Sequence, residues 1–233
     1  MIPIRDENPT KRFPLVTAVL LAVNIVVFAY EVSLPDAEFL AFVNTWAVTP
    51  AHVVAAPFSP QVLATLVTAM FLHGGWLHLG GNMLYLWIFG NNVEDSLGRL
   101  AFLGFYLASG VAATFAHIVV GGPSEIPLLG ASGAIAGVLA AYLLLFPRAH
   151  VLVLIPIFFI IELARVPAAF VIGFWFLLQL IQGIGAISPA ASGGVAWWAH
   201  VGGFVAGLVL VLPAWLVNRR QGRRKNVPFT TWK

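Results

Sequence analysis

The sequence contains no cysteine and few charged residues. Without cysteine the chain can form no disulfide scaffold, no thiolate nucleophile and no Cys-ligated metal site. Asp, Glu, Lys and Arg make up only 9% of its 233 residues, against 60% hydrophobic residues, and the mean hydropathy is +0.93. An average soluble domain carries about 25% charged residues. The composition therefore excludes an ordinary soluble domain and indicates a membrane protein.

Long apolar runs are what the sequence has in abundance. A helix needs about 17 to 25 apolar residues to cross a hydrocarbon core of about 30 Å. Six runs come close to this length, at positions 13–30, 76–93, 100–120, 131–146, 168–182 and 195–217. The apolar segment 151–161 is too short to span, and we expect a re-entrant or interfacial piece there. The prediction is an all-α membrane protein, a bundle of six transmembrane helices.

The basic residues test this count, because Lys and Arg concentrate in short cytoplasmic loops. With six spans and cytoplasmic N- and C-termini, all twelve Lys and Arg fall on one side of the membrane. A seventh span at 151–161 would put the C-terminal Arg cluster outside. We therefore expect a cytoplasmic leader at 1–12, a six-span domain at 13–217 and a basic cytoplasmic tail at 218–233. Because the tail lies directly beside a span, its expected partner is anionic lipid and not nucleic acid.

A few polar side chains interrupt the apolar runs, where each is costly and is therefore a candidate for function. Spans two, four and six all run inward from the outer face, and each carries polar residues within about two turns of its start. These are His78 and Asn82 in span two, Ser132 in span four and His200 in span six. One shallow layer thus holds a nucleophile, a general base and oxyanion donors, the set that acyl transfer requires.

Glycines beside Ser132 and His200 indicate that their two helices pack closely. Each helix has a pair of glycines four residues apart, Gly133 with Gly137 and Gly203 with Gly207. Glycine at this spacing lets helix backbones approach in lipid, so that the His200 imidazole would reach the Ser132 hydroxyl. Small faces are common in membrane helices, and a serine in a first turn is often an N-cap. Both structural interpretations stay open at this point.

The remaining polar residues make weaker sites. Ser109 and His117 share span three but lie about 12 Å apart by helical rise, so they cannot hydrogen-bond directly. His73 is expected to pack the loop before span two. No Asp or Glu lies within a span at the outer depth to orient the base, so the site would be a dyad. A metal bound by the two imidazoles and the amide would lack carboxylate and thiolate ligands, and we expect no metal and no cofactor.

Three short motifs on alternate spans resemble the rhomboid family of intramembrane serine proteases, and the resemblance covers nearly the whole chain. The motifs are His78-Leu79-Gly80-Gly81-Asn82, Gly130-Ala131-Ser132-Gly133 and Ala199-His200-Val201-Gly202-Gly203. The resemblance implies a six-helix rhomboid-like bundle in which Ser132 attacks the scissile carbonyl of a substrate's transmembrane segment and His200 transfers the proton. It also implies that His78, Asn82 and the Ser132 backbone N–H hold the oxyanion, and that Glu94 is structural. Residues 183–194 would form a cap over the site.

The chain departs from the family pattern beside the base. Well-studied members often carry an aromatic residue four positions after the serine, and here that position is Ala136. We expect a nearby aromatic, such as Trp197 or Trp198, to orient His200 instead.

Two other functions compete with proteolysis. A catalytically silent relative would bind membrane clients with the same fold and no need of the dyad, although Ser132 and His200 are both intact. A small transporter is disfavoured because the chain has no obvious internal repeat. The expected partners of an active enzyme are transmembrane protein substrates and the lipid bilayer. With no transit peptide evident, we expect a bacterial cell membrane.

Overall fold

Ten α-helices and three β-strands make up the part of the chain that the computed structural model describes, residues 1–157, 160–185 and 196–220. The elements in chain order are β1 (Ile2–Asp6), α1 (Leu15–Glu31), α2 (Asp36–Trp46), α3 (Pro50–Ala55), α4 (Pro60–Thr68), a 3-10 turn (Ala69–Phe71), α5 (Trp76–Tyr85), a π-helical turn (Leu86–Gly90), α6 (Asn91–Leu97), α7 (Arg99–Gly121), α8 (Ser132–Leu145), β2 (His150–Ile157), β3 (Ile160–Pro167), α9 (Ala168–Gly185) and α10 (Trp197–Arg220). Most of the predicted cap and nearly all of the predicted basic tail lie outside these ranges.

A helix occupies each of the six apolar runs. Within the described residues, α7, α9 and α10 are long and apolar enough to cross a membrane. The helical segments Pro60–Phe71 and Trp76–Leu97 are bent by 83° relative to each other, and they make a fourth span if they are counted as one broken helix. The apolar helices α1 and α8 are shorter, with 17 and 14 residues. α8 stops just before Pro147, because a residue that precedes proline is disfavoured in helical conformation. The chain is an integral membrane protein.

The prediction of an all-α protein is wrong at 151–161, where a re-entrant or interfacial piece was expected. Strand β2 pairs antiparallel with both β1 and β3, in the order β1-β2-β3. Val or Ile occupies every second position of β2 from Val151 onward, and β-branched residues favour extended backbone. One partner, β3, follows directly along the chain, and the other lies about 150 positions away, where Ile2 of the leader pairs with Leu154. As the middle strand of the sheet, β2 has pairing partners for its backbone groups on both sides.

Helix α8 lies at the centre of the bundle. Every residue from Gly133 to Tyr142 is buried, with α7 and α10 packed against it. A Cβ atom added to Gly203 would overlap the carbonyl oxygen of Gly133, and one added to Gly207 would overlap the backbone of Gly137. The predicted close approach of the two glycine faces is confirmed. It brings the first turns of α8 and α10 together.

Glu94 connects α6 to the beginning of α1. Its carboxylate accepts hydrogen bonds from the backbone N–H groups of Val16 (3.0 Å) and Thr17 (2.8 Å) and from the Thr17 hydroxyl (2.8 Å). The residue before α1 is Pro14, whose side chain makes no capping hydrogen bond. Glu94 therefore supplies the negative charge and acceptor oxygens that the start of a helix requires, consistent with the structural role that the resemblance implies.

Candidate active site

Ser132 and His200 meet where α8 and α10 begin. Ser132 is the first residue of α8, and His200 lies in the first turn of α10. The distance between His200 Nε2 and Ser132 Oγ is 2.7 Å, well within hydrogen-bonding range. Both residues are partly exposed. The two side chains that the sequence singled out as nucleophile and base are therefore brought into contact from separate helices.

His78 and Asn82 lie on one face of α5 and point toward Gly130, two residues before Ser132. A Cβ atom placed on Gly130 would lie 2.8 Å from His78 Nε2 and 3.8 Å from Asn82 Nδ2. The backbone N–H of Gly74 donates to His78 Nδ1 at 3.4 Å, so Nε2 carries the proton of the neutral ring. The N–H groups of His78 Nε2 and Asn82 Nδ2 thus lie close to the space beside the Gly130 Cα atom, where both could donate to an oxyanion.

A glycine at position 130 keeps that point open. Its backbone has φ of +121°, a conformation that residues other than glycine rarely adopt. An added Cβ atom would also collide with the His78 ring. A small cavity of about 40 Å³ adjoins it, lined by Gly130, Ser132, Gly133, Met70 and Ala199 among others. This volume has room for about one or two water molecules beside the Ser132 hydroxyl.

His73 belongs to this site, although the sequence predicted only a packing role in the loop. Its side chain is 1% exposed, and its Nε2 atom lies 3.0 Å from Asn82 Nδ2. The His73 ring also contacts the His78 ring, with 5.1 Å between centroids. Because an amide nitrogen only donates, His73 Nε2 accepts this bond and thereby fixes the orientation of the Asn82 amide.

Glu31 lies buried at the end of α1, next to this cluster. Its carboxylate oxygens accept hydrogen bonds from the backbone N–H of His73 at 3.1 and 3.3 Å. The hydrogen bonds of Glu31 therefore hold the His73 backbone and do not reach the His200 ring. A carboxylate therefore lies near the site, just beyond the predicted span 13–30, and it anchors the loop before α5.

Gln179 of α9 is the polar contact of His200 that sequence reasoning missed. Its Oε1 lies 2.7 Å from His200 Nδ1, and the residue is 6% exposed. A glutamine inside the apolar run 168–182 was the available signal.

Aromatic rings also flank His200, as we expected because position 136 carries alanine instead of an aromatic residue. The Trp197 ring meets it edge-on with 6.1 Å between centroids, and the Trp175 ring of α9 lies tilted at 5.8 Å. Trp198, the other aromatic named from the sequence, instead donates its indole N–H to the Gly183 carbonyl at 3.1 Å.

The rival pair Ser109 and His117 makes no hydrogen bond to Ser132 or His200 in the described part of the chain. Ser109 Oγ packs where α7 meets Gly137 of α8 and has no hydrogen-bond partner among the described residues. Across the same ranges of chain, His, Asp and Glu form no group of three or more able to share a metal ion.

A family model described as Rhomboid domain matches residues 60–216, which include Ser132, His200, His78 and Asn82. The chain belongs to the rhomboid family. Its relatives include Rhomboid protein 1, mitochondrial, of Saccharomyces cerevisiae, 36% identical over 99 residues, which cover 39% of this chain and 28% of that protein. The human presenilin-associated rhomboid-like protein, mitochondrial, is 33% identical over 105 residues, 44% of this chain and 28% of its own length.

A plant relative matches a longer stretch. Rhomboid-like protein 11, chloroplastic, of Arabidopsis thaliana is 33% identical over 162 residues, which cover 66% of this chain and 52% of that protein. The chain thus spans between about a quarter and a half of the length of these rhomboid relatives. Their names place them in mitochondria and chloroplasts, which does not fit the bacterial cell membrane expected from the sequence.

Proposed function

We propose that this rhomboid is an intramembrane serine endopeptidase that cleaves transmembrane segments of membrane proteins with a Ser132–His200 dyad. The observation that carries the proposal is the 2.7 Å hydrogen bond between Ser132 Oγ and His200 Nε2, made across the glycine-lined contact of α8 and α10. An N-cap serine would need no imidazole from another helix. Here the serine hydroxyl lies within hydrogen-bonding distance of an imidazole nitrogen that can accept its proton, as covalent acyl transfer requires.

In the proposed reaction Ser132 Oγ attacks the scissile carbonyl carbon while His200 Nε2 accepts the hydroxyl proton. The resulting oxyanion takes hydrogen bonds from His78 Nε2, Asn82 Nδ2 and the Ser132 backbone N–H. His200 then protonates the leaving amine as the C–N bond breaks, which leaves an ester on Ser132. Water from the adjoining cavity, deprotonated by His200, hydrolyses that ester and restores the serine.

The proposed membrane arrangement has six spans with cytoplasmic N- and C-termini. Helix α8 rises only about 21 Å along its 14 residues, less than the hydrocarbon thickness of about 30 Å. A helix so short, enclosed by its neighbours, can begin below the outer surface and hold Ser132 at the depth of a substrate's transmembrane segment. The small cavity beside Ser132 has room for the water that the reaction needs and that lipid does not supply.

The test uses detergent-purified protein with a model transmembrane substrate and a fluorophosphonate probe. Wild-type protein is expected to cleave the substrate and to be labelled at Ser132, and Ser132→Ala and His200→Ala should each abolish cleavage. Ser109→Ala is the matched control, because it removes a buried hydroxyl away from the dyad and should keep both activities. Cleavage that survives Ser132→Ala refutes the mechanism. A folded wild-type protein that neither cleaves nor labels identifies a silent relative that binds membrane clients.

A further inference from the structure

Gln179 is a buried polar group that the proposed reaction does not use. It lies in α9, whose neighbouring residues in the run 168–185 are almost all apolar. Burying an amide there is costly unless its oxygen and nitrogen both find partners. Both do: Nε2 donates to the Trp175 carbonyl at 3.3 Å, and Oε1 lies 2.7 Å from His200 Nδ1.

The first of these two contacts decides which way the amide faces. A backbone carbonyl can only accept a hydrogen bond, so the atom of Gln179 next to Trp175 O is the nitrogen. The atom facing His200 is then the amide oxygen, which also only accepts. His200 Nδ1 must therefore carry the proton, and in the neutral ring its Nε2 is left bare toward Ser132 Oγ.

We propose that Gln179 is a positioning residue that holds His200 in the tautomer able to accept the Ser132 proton. The inference rests on the proposed function for its catalytic consequence, but the tautomer itself can be observed without substrate. Gln179 occupies the place of the third group of a catalytic triad, as a neutral acceptor rather than a carboxylate. The three helices α8, α9 and α10 are thereby joined by one line of hydrogen bonds, from Ser132 through His200 to Gln179.

The flanking rings of Trp175 and Trp197 offer a competing explanation. Two indoles beside an imidazole restrict its rotation by packing, with or without Gln179. Packing fixes the plane of the His200 ring, however, and does not determine which of its two nitrogen atoms carries the proton. The test must therefore read out the tautomer, which packing by itself leaves undetermined.

The kinetic test compares two glutamines on the same helix. Gln179→Met keeps the side-chain length and removes the acceptor oxygen, whereas Gln182→Met makes the same change at an exposed position. We expect Gln179→Met to lower kcat about 10- to 100-fold with KM little changed, since the ring loses its preferred tautomer, and Gln182→Met to behave as wild type. Gln179→Glu keeps an oxygen at the same reach and should recover most of the lost turnover. Equal kcat values for the two Met variants would overturn the proposal.

The spectroscopic test uses protein with ¹⁵N-labelled histidine in detergent micelles at a pH where His200 is neutral, with the His200 signals assigned by their loss in His200→Ala. Wild-type protein should show a protonated Nδ1 and a bare Nε2, and Gln179→Met should show a mixture. A wild-type ring protonated at Nε2, or an unchanged single tautomer in Gln179→Met, contradicts the proposal. If the wild type fails to cleave yet shows the expected tautomer, the proposed function falls while the positioning contact stands.

Discussion

Replacing Gly203 by alanine tests whether the close contact of α8 and α10 holds the dyad together. The added Cβ would overlap the Gly133 carbonyl oxygen and lie 3.2 Å from the Ala113 Cβ of α7. Neither neighbour is the end of a flexible side chain, so the backbones have to separate by about 1 Å to reach a separation that real Cβ atoms show. Overpacking of this kind costs about 1–3 kcal/mol of stability.

The same displacement should act on the dyad. Gly203 lies three residues after His200, so a shift of α10 there is transmitted to the imidazole within one turn. The contact between Ser132 Oγ and His200 Nε2 is 2.7 Å, and lengthening it by up to about 1 Å takes it beyond effective hydrogen bonding. We expect fluorophosphonate labelling of Gly203→Ala to slow at least tenfold in protein that is still folded.

The assay measures labelling rate together with the free energy of unfolding in mixed detergent micelles. Gly104→Ala in α7 and Gly173→Ala in α9 are matched controls, because an added Cβ meets no atom within 4 Å at either position. These controls should label as wild type and change stability by less than about 1 kcal/mol, in the direction that helix propensity favours. If Gly203→Ala labels as fast as the controls and is equally stable, the packing argument is wrong.

Three further predictions concern other parts of the molecule. Gly130→Ala places a Cβ atom 2.7 Å from the His78 ring at φ of +121°. It should slow fluorophosphonate labelling at least tenfold while lowering the unfolding free energy by only about 1–3 kcal/mol. Normal labelling would contradict the oxyanion assignment. Glu94→Ala should lower the unfolding free energy by about 2–3 kcal/mol, because the buried Thr17 N–H loses its acceptor, whereas Asp95→Asn, whose contact is exposed, should have little effect. Burial raises the pKa of Asp6 from 3.8 to about 6, so its contribution to stability is full at low pH and is lost as the pH rises through about 6. The unfolding free energy should fall over that interval, and the fall should be smaller in Asp6→Asn; an unchanged slope in that variant would exclude Asp6 as a source.

Composition and hydropathy were sufficient to locate the helices of the six apolar runs, because the partition of apolar residues into lipid depends on each segment by itself. They did not locate α2, α3 and α4, which lie between the first two runs. The helix α7 covers Arg99–Gly121 where the run 100–120 was predicted, and α8 ends at Leu145, before Pro147. The candidate residues Ser132 and His200 could be named for a related reason: polar side chains are rare in such runs, so each one stands out.

Local pattern failed where the outcome depended on distant residues. Residues 151–157 lie in β2, which forms the middle strand of a sheet because the leader, about 150 residues away, pairs with it on the side opposite β3. Glu94 caps α1 by a hydrogen bond to Val16, 78 residues earlier, and a sequence pattern has no means of pairing the two. Contacts of this kind depend on chain geometry rather than on local composition.

The sequence alone determined that this is a membrane protein, where its six apolar helical segments lie and which hydroxyl and imidazole stand out, since each of these properties belongs to a residue or a segment. Only the tertiary structure decided that His200 meets Ser132 at one nitrogen and Gln179 at the other. Hydrogen bonds require donor and acceptor within about 3 Å, and that separation is set by the packing of α8, α9 and α10 together.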